Sequence, residues 1–289
     1  MTTRSWTTLE LLKTTADFLK TKDLPSPRLA AERLLAHAMG CRRVDLYLAT
    51  EKTVQDSVLE QYRGFVRAYA AGAPLQYVEG ETEFMGLVFG VDSRVLIPRP
   101  ETELLVDAVE KRLRPLAGSA AVLELGTGSG AIAVSLAVRL PQVEVWTTEA
   151  SPDAAAVAEA NARRHGVEAR VHILVMDRFE ALHADLAGTM ACVVSNPPYV
   201  TTAEMADLPA LVREHEPHAA LHGGPDGLDF HRYLCTRGLQ FLAPGGTLAA
   251  EIGARQGGAV HELFAAAGLH EVTILKDYAG HDRIVLGLK

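Results

Sequence analysis

The segment Ala121–Gly130, with the sequence AVLELGTGSG, decides the fold of this chain. Its first half is an apolar run typical of a buried strand, and its second half is a glycine-rich turn that opens a helix near Ala131. Glycines let the backbone approach a ligand closely, and such a turn can present N–H groups to a carboxylate or phosphate. A tight strand-to-helix connection without a ligand is the alternative that the turn alone leaves open.

Strand and helix patterns alternate along the rest of the chain after Pro98. Strands are predicted at 121–125, 143–148, 170–175, 190–195, 247–252, 272–275 and 284–288. This alternation is typical of a mainly parallel, doubly wound α/β sheet of the Rossmann type. The last two strands are joined by a loop too short for a helical crossover, so they should pair antiparallel, and we expect one reversed strand.

The chain before this sheet divides into two further parts. Residues 1–75 carry helical patterning throughout, with one helix from Ser26-Pro27 to Gly40 and another over about Asp56 to Ala71, and they predict a small helical bundle. Residues 76–97 change to short alternating stretches, which include Tyr77-Val78 and Val95–Ile97, and predict a β-hairpin linker with a further strand. We therefore expect domains at 1–75 and 98–289, joined by 76–97.

Composition narrows the classes of protein. The 289 residues are 48% hydrophobic, so a large hydrophobic core is expected. The net charge of −8 argues against a basic surface that would bind nucleic acid. We expect no membrane-spanning segment, because apolar runs are short, and no secretory leader. Cys41, Cys192 and Cys235 are widely spaced and form no CxxC motif, which favours a reducing compartment and a cytoplasmic protein.

Two acidic positions follow the second and third strands of the predicted sheet. Glu149 is placed to accept hydrogen bonds from ribose hydroxyls, although it could also be a solvated carboxylate at the start of the next helix. Asp177 and Arg178 could meet an adenine amino group and cover its ring. Because open α/β sheets bind ligands at the carboxyl ends of their strands, these residues and the glycine turn are expected to share one crevice.

The loop Ser195-Asn196-Pro197-Pro198-Tyr199 ends the fourth strand in an unusual way. The prolines lack an N–H and hold the backbone stiff, so their carbonyls can point at a ligand. Asn196 adds a side-chain carbonyl and Tyr199 adds a flat apolar face. Together these groups suit a planar NH2 group, while a plain proline-rich turn is the simpler alternative.

The combination of these features favours one cofactor over another. Dinucleotide oxidoreductases would use the same crevice, but their fingerprint is G-x-G-x-x-G, whereas Gly126–Gly130 reads G-x-G-x-G. A carboxylate before the turn and Glu149 after the second strand suit S-adenosyl-L-methionine at least as well. The asparagine loop favours S-adenosyl-L-methionine over a dinucleotide, because hydride transfer does not need a site that holds the nitrogen of a substrate.

At this point the chain resembles a known family, the protein-(glutamine-N5) methyltransferases that modify peptide chain release factors. The matching segments follow one another in order, and they are Pro74–Tyr77, Glu83-Phe84, Ile97–Glu103, Glu124–Gly130, Asn196–Tyr199, Glu216-Pro217, Gly223–Leu228, Glu251–Gly253, Lys276-Asp277 and Asp282-Arg283. The helical region 1–75 matches in size and position only. The resemblance implies a class I methyltransferase sheet preceded by a helical domain that binds the substrate protein.

The resemblance also implies roles for individual residues. The residues implied to bind S-adenosyl-L-methionine are Gly126, Thr127, Gly128, Ser129, Gly130, Glu149, Asp177, Arg178 and Asn196. Asn196 and the Pro197 carbonyl would accept hydrogen bonds from a glutamine amide, with Pro198 and Tyr199 beside it, and Asn196, Pro197 and Tyr199 would carry the catalysis. Two positions depart from the family pattern: many members have Asp at position 149, and an aromatic residue is frequent at position 178.

Two rival functions stay open. A nucleic-acid amino methyltransferase acting on adenine N6 or guanine N2 would use the same loop, but the acidic catalytic region counts against it. A non-catalytic binder could dock a translation factor through residues 1–75. We expect no metal site, since His215, His218 and His222 have no acidic or cysteine partners in the pattern. The expected partners are release factors, with no direct nucleic-acid or membrane contact.

Overall fold

The computed structural model describes residues 5–116 and 118–289. Residues 1–4, the first residues of the expected helical domain, and Ala117 lie outside this part. The chain forms two compact units: the first runs to Gly80 and includes Ala210–His215, and the second comprises Glu81–Pro209 and Glu216–Lys289. In the part described, no helix has both the length and the apolar character needed to cross a membrane.

The helices, in chain order, are α1 (Thr8–Lys20), α2 (Pro27–Met39), α3 (Asp45–Leu48), α4 (Asp56–Ala70), α5 (Leu75–Glu79), α6 (Pro100–Leu113), α7 (Ala131–Arg139), α8 (Pro152–Arg164), α9 (Ala210–Arg213), α10 (Asp229–Thr236) and α11 (Gly257–Ala266). The strands are β1 (Glu81–Phe84), β2 (Leu87–Gly90), β3 (Ala120–Leu125), β4 (Val143–Glu149), β5 (Val171–Val175), β6 (Met190–Ser195), β7 (Leu242–Glu251), β8 (His270–Lys276) and β9 (Asp282–Leu288).

The first unit is a helical bundle whose ends follow local sequence rules. Thr7 and Glu10 form a capping box at the start of α1, in which each side chain accepts a hydrogen bond from the other residue's backbone N–H. Pro27 occupies the first turn of α2, and Gly40 ends that helix in the left-handed region. The largest side chains that are fully buried between the helices are Leu19, Leu34, Leu35, Leu46 and Tyr62.

The second unit is built on a seven-stranded sheet with the order β5-β4-β3-β6-β7-β9-β8. Neighbours from β5 to β7 pair parallel, and β9 pairs antiparallel with both β7 and β8. The α/β fold with one reversed strand is therefore confirmed. Strands β3 and β6 are buried on both faces, as central parallel strands require, with alternate residues contributing to two separate hydrophobic clusters.

Two strand predictions before the sheet are wrong. Tyr77-Val78 lies in the short helix α5, because the backbone N–H groups of both residues donate to the Pro74 carbonyl. Val95–Ile97 is not a strand, since the Val95 N–H closes a turn on the Asp92 carbonyl. Only β1 and β2 form the expected hairpin, which belongs to the second unit.

Asn161 on α8 connects this hairpin to the glycine turn. Its side-chain amide donates to the carbonyls of Gly90 (3.0 Å) and Ser129 (2.8 Å), and its oxygen accepts from the Gly90 N–H (2.8 Å). Asn161 is buried, so these three bonds satisfy polar groups that water does not reach. The hairpin and the turn after β3 are thereby held to one helix.

Candidate active site

A cavity of about 480 Å³ lies at the carboxyl ends of β3, β4 and β6. The predicted site residues that line it are Gly126, Thr127, Gly128, Ser129, Glu149, Asp177, Arg178, Asn196 and Pro198. Gly130, Pro197 and Tyr199 do not line it. The fold thus brings nine of the predicted positions, from four separate loops, to a single cavity.

The glycine turn uses most of its own N–H groups to hold its shape. The N–H groups of Gly126 and Thr127 both donate to the Thr148 carbonyl, at 3.0 and 3.1 Å, and that of Gly130 donates to the Thr127 carbonyl. The donors left for a ligand are therefore the Ser129 N–H and those of the first turn of α7, which have no intrahelical acceptor. Gly130 has a packing role, because an added Cβ there would lie 3.3 Å from the Ala158 Cβ.

Glu149 is fixed at the edge of the cavity by two backbone donors. The Gly128 N–H donates to one carboxylate oxygen (2.9 Å) and the Ser151 N–H to the other (3.0 Å). A carboxylate has about four acceptor positions, so each oxygen keeps a lone pair for a further donor. The arrangement suits a pair of neighbouring hydroxyl groups.

Glu124, at the end of β3, is a buried carboxyl that lines the cavity. One of its oxygens accepts from the Thr147 hydroxyl (2.7 Å), and within the described residues the other has no hydrogen-bond partner. Burial raises the pKa of Glu124 to about 8, and the charge of Glu149 adds to this effect. A cationic group of a ligand would give this oxygen a partner and would favour the charged form of the carboxyl.

Asp177 and Arg178 form a flat, charged border on another side of the cavity. The Arg178 guanidinium makes two hydrogen bonds of 3.3 Å to the Asp177 carboxylate, and its Cζ lies 4.7 Å from the centre of the Tyr233 ring. Tyr233 is itself held, since its hydroxyl accepts from the Phe179 N–H (3.0 Å). The contact with the Tyr233 ring and the two bonds to Asp177 restrain the Arg178 guanidinium.

The asparagine loop begins where β6 ends beside β3. Ser195 donates from its hydroxyl to the Leu125 carbonyl (2.8 Å), and the Asn196 side-chain NH2 donates to the Thr102 hydroxyl (3.0 Å). Pro197 is buried, and among the described residues no N–H donates to its carbonyl. Tyr199 does not line the cavity, and its hydroxyl donates to a carboxylate oxygen of Glu251 at 3.3 Å.

The loop 223–228 and the side chain of Gln256, at the start of α11, both contact the backbone of the asparagine loop. The Gly223 N–H donates to the Val200 carbonyl (2.8 Å), and Gln256 donates from its side chain to the Tyr199 carbonyl (3.0 Å). Gly227 has φ +75°, and a Cβ there would lie 2.2 Å from the Tyr199 oxygen. These glycines therefore allow a close approach between two loops.

Several residues at the cavity were given no individual role by the sequence. Among them are Arg94, Val95, Leu96, Pro98, Arg99, Thr102, Pro217, Ala219, Ala220 and Phe230. Arg99 forms an ion pair with the buried Glu216 (2.5 Å). Arg99, Thr102 and Pro217 lie in segments that carry the family resemblance. That resemblance was the signal in the sequence that could have assigned them to the site.

Metal ligands are not grouped in the part of the chain that the structure describes. No three His, Cys, Asp or Glu side chains there are arranged to hold an ion. His222 instead makes a hydrogen bond with the Thr202 hydroxyl (2.8 Å).

Comparisons with known proteins agree with the class that the sheet and cavity define. Residues 10–80 match the PrmC N-terminal domain and residues 99–215 match the methyltransferase small domain. The hMettl16 catalytic domain in complex with the MAT2A 3'UTR hairpin 6 is a solved structure with a TM-score of 0.58 and 15% identity over 77% of this chain and 81% of its own, which shows a common fold. The protein is a methyltransferase.

Relatives among characterised sequences define the family. The release factor glutamine methyltransferase of Geobacter sulfurreducens is 43% identical over 98% of this chain and 96% of its own. That of Moorella thermoacetica is 45% identical over 91% of this chain and 92% of its own. The chain belongs to the release factor glutamine methyltransferase family.

The cofactor of this class of methyltransferase is S-adenosyl-L-methionine, and the residues of the cavity fit it. Its ammonium group suits the unpartnered oxygen of Glu124, and its ribose hydroxyls suit the lone pairs left on Glu149. Its sulfonium carries the methyl group that is transferred. The volume and the mix of apolar and polar walls are those of a small-molecule site.

Proposed function

We propose that this chain transfers a methyl group from S-adenosyl-L-methionine to the side-chain amide nitrogen, N5, of a glutamine in peptide chain release factors. The observation that carries the proposal is that Asn196 and the glycine turn line the same cavity. This supports a scheme in which Asn196 accepts hydrogen bonds from an NH2 group beside the site of the methyl donor. The names of the curated relatives supply the class of substrate.

The chemistry requires positioning more than a strong base. An amide nitrogen is a poor nucleophile, because its lone pair is delocalised into the carbonyl. Acceptors for both N–H bonds can aim the nitrogen at the methyl group and stabilise the positive charge that develops before a proton leaves. In this proposal the acceptors are the Asn196 side-chain oxygen and the Pro197 carbonyl, and well-oriented reacting groups can gain about 7–11 kcal/mol.

The walls of the cavity support the same reaction. Pro198 and Phe230 contribute apolar surface around Asn196, which limits the access of water to the amide. Asp177, Arg178 and Glu149 are proposed to hold the adenosine part of the cofactor. The roles of Asn196, Pro197, Pro198 and Tyr199 as the substrate-binding loop are part of this proposal.

We propose further that residues 1–75 are the domain that binds the release factor, that 76–97 is the linker and that 98–289 carries the chemistry. Support comes from the exposed apolar side chains on and beside α3, where Val44, Tyr47 and Leu48 are 55%, 48% and 83% exposed. A patch of this kind is typical of a protein contact. Since a release factor is a cytoplasmic translation protein, the reaction would take place in the cytoplasm.

The test of the main proposal is methylation in vitro. The protein is incubated with methyl-labelled S-adenosyl-L-methionine and a panel of bacterial release factors, and the label is located by peptide mass spectrometry. We expect it on one glutamine, and Asn196→Ala should lower kcat/KM by about 100- to 1,000-fold while cofactor binding persists. Label on a residue other than glutamine would overturn the proposal, and label on nucleic acid added to the same reaction would favour the amino methyltransferase alternative.

The role of the helical domain is tested separately with Leu48→Ser. We expect a higher KM for the release factor and an unchanged kcat, because Leu48 would contribute to binding only. Leu275→Ser on β8, which also replaces a partly exposed leucine, is the matched control and should leave KM unchanged. An equal KM for both variants and the original protein would count against this surface.

A further inference from the structure

A chain of hydrogen bonds between side chains lies behind Asn196. The Asn196 NH2 group donates to the Thr102 hydroxyl (3.0 Å), and the Thr102 hydroxyl donates to one carboxylate oxygen of Glu251 (2.6 Å). The Tyr199 hydroxyl donates to the other oxygen of Glu251 (3.3 Å). Thr102 and Glu251 are 4% and 1% exposed, so the chain excludes water as a competing partner.

The direction of this chain determines which way the Asn196 amide faces. A hydroxyl has a single proton, and the proton of Thr102 is used in the short bond to Glu251. Thr102 can therefore offer Asn196 only a lone pair, which binds the NH2 end of the amide. The oxygen end is left for a ligand in the cavity.

The opposite amide orientation would defeat the proposed reaction. With its NH2 group toward the substrate, Asn196 would face two N–H donors of a glutamine amide with donors of its own. Neither group could then accept a hydrogen bond, and the nitrogen would not be aimed or its developing charge stabilised. The orientation of a single side-chain amide thus decides whether the site can work.

We propose that Thr102 and Glu251 are positioning residues that fix the Asn196 side chain with its oxygen toward the substrate amide. This inference rests on the proposed function of the same site. Thr102 belongs to the first turn of α6 and Glu251 ends β7, so two rigid elements of the second unit hold the acceptor. Neither residue touches the reacting atoms in this scheme.

The charge of Glu251 is set by its surroundings. Burial raises the pKa of Glu251 to about 7, whereas the Thr102 hydrogen bond, Arg283 and the Tyr199 hydroxyl favour the charged form. The Glu101 carboxyl favours the neutral form, and the His231 ring makes its hydrogen bond to Glu251 at the backbone carbonyl. Proton uptake by Glu251 would let the carboxyl donate to Thr102, and Thr102 could then donate to Asn196.

The decisive variants are Thr102→Val, which keeps the shape of the side chain and removes its oxygen, and Thr102→Ser, which keeps the hydroxyl. We expect Thr102→Val to lower kcat by about 10- to 100-fold with little change in cofactor affinity or in KM for the release factor. Thr102→Ser should restore most of the activity. Thr247→Val is the control, because it makes the same change at another buried threonine, which lies on β7.

Two further readouts separate positioning from folding. The kcat of the original protein should fall as the pH is lowered through about 7, the pKa of Glu251, and this acid limb should be lost in Thr102→Val. In ¹⁵N NMR spectra the side-chain NH2 signal of Asn196, assigned by its loss in Asn196→Asp, should shift in Thr102→Val and remain near its place in Thr102→Ser.

The outcomes that would overturn the inference are distinct. A Thr102→Val protein with the original kcat, or equal losses in the Val and Ser variants, would show that the hydroxyl does not position Asn196. If the original protein methylates no release factor, the proposed function fails. The NMR comparison needs no substrate, and an unshifted Asn196 signal there would refute the hydrogen-bond chain by itself.

Discussion

Glu124 should make the unfolding free energy of the second unit depend on pH. Its pKa is raised from 4.5 to about 8 by burial, so the folded state binds a proton that the unfolded state releases. The resulting stability is fully present below pH 4.5 and is lost as the pH rises through 8. At 1.36 kcal/mol for each pKa unit, about 3 kcal/mol should be lost between pH 5 and pH 8.

The perturbation that isolates this effect is Glu124→Gln, which imitates the protonated carboxyl and keeps an acceptor for Thr147. Urea denaturation at pH 5 and pH 8 is followed by the fluorescence of Trp146 in a Trp6→Phe background, because these are the two tryptophans of the chain. The variant should gain about 3 kcal/mol relative to the original protein between the two pH values.

The comparison also removes the other titrating carboxyl. The pKa of Glu251 is raised to about 7, but Glu251 is present in both proteins and its contribution cancels. Glu262→Gln, at an exposed position of α11, is the matched control and should follow the original protein. The reasoning is refuted if Glu124→Gln and the original protein lose the same free energy between pH 5 and pH 8.

Three further outcomes follow from the cavity and its supports. Binding of S-adenosyl-L-methionine at pH 7 should release protons from the original protein and not from Glu124→Gln, because a cationic ligand favours the charged form of the Glu124 carboxyl. Calorimetry in buffers of different ionisation enthalpy measures this release. Equal binding heats of the original protein in all buffers would contradict the prediction. Gly227→Ala should lose about 100-fold in methylation rate because its Cβ would collide with the Tyr199 carbonyl, whereas Gly245→Ala, at a similar φ in open space, should keep its rate. Asn161→Ala should lower the free energy of unfolding in urea by about 2–4 kcal/mol, because it leaves buried backbone groups without partners. A loss below about 1 kcal/mol would show that the hydrogen bonds of Asn161 to Gly90 and Ser129 do not hold the hairpin and the glycine turn to α8.

The sheet was predictable because its strands are apolar runs separated by helices of adequate length. The predicted segment 190–195 coincides with β6, and the other predicted strands lie within their observed counterparts or differ by a residue at an end, apart from β7. Strand β7 starts at Leu242, five residues before the prediction, because Pro244-Gly245-Gly246 has the composition of a turn yet continues the strand. Strand β7 pairs with β6 on both sides of this segment, with a shift of register between Met190 and Cys192 of β6. This pairing overrides the preference of the segment for a turn.

The short helix α5 shows the limit of periodicity. Five residues span little more than one turn, so Tyr77 and Val78 display no helical repeat, and their aromatic and β-branched side chains favour a strand. What makes the segment helical is the turn closed on the Pro74 carbonyl. That hydrogen bond depends on backbone geometry and leaves no mark in the pattern of side chains.

The residues that line the candidate site were predictable from the sequence, but the residues that support them were not. Asn196 and Glu149 follow strand ends, where the fold class concentrates ligand contacts, so position along the chain identified them. Thr102 and Glu251 are 149 residues apart, and nothing in either segment alone indicates that one donates to the other. The hydrogen bond of the Tyr199 hydroxyl likewise depends on Glu251, which is distant in the sequence.

The place of β9 in the sheet has a consequence for the synthesis of the protein. β9 follows β8 in the chain but lies between β8 and β7, so β7 keeps an unpaired edge until β9 has emerged from the ribosome. Ile284 on β9 pairs with Glu251, and the preceding residue, Arg283, lies near the same carboxyl. Until β9 has paired with β7, Glu251 therefore lacks the nearby charge of Arg283, and the support proposed for Asn196 is incomplete.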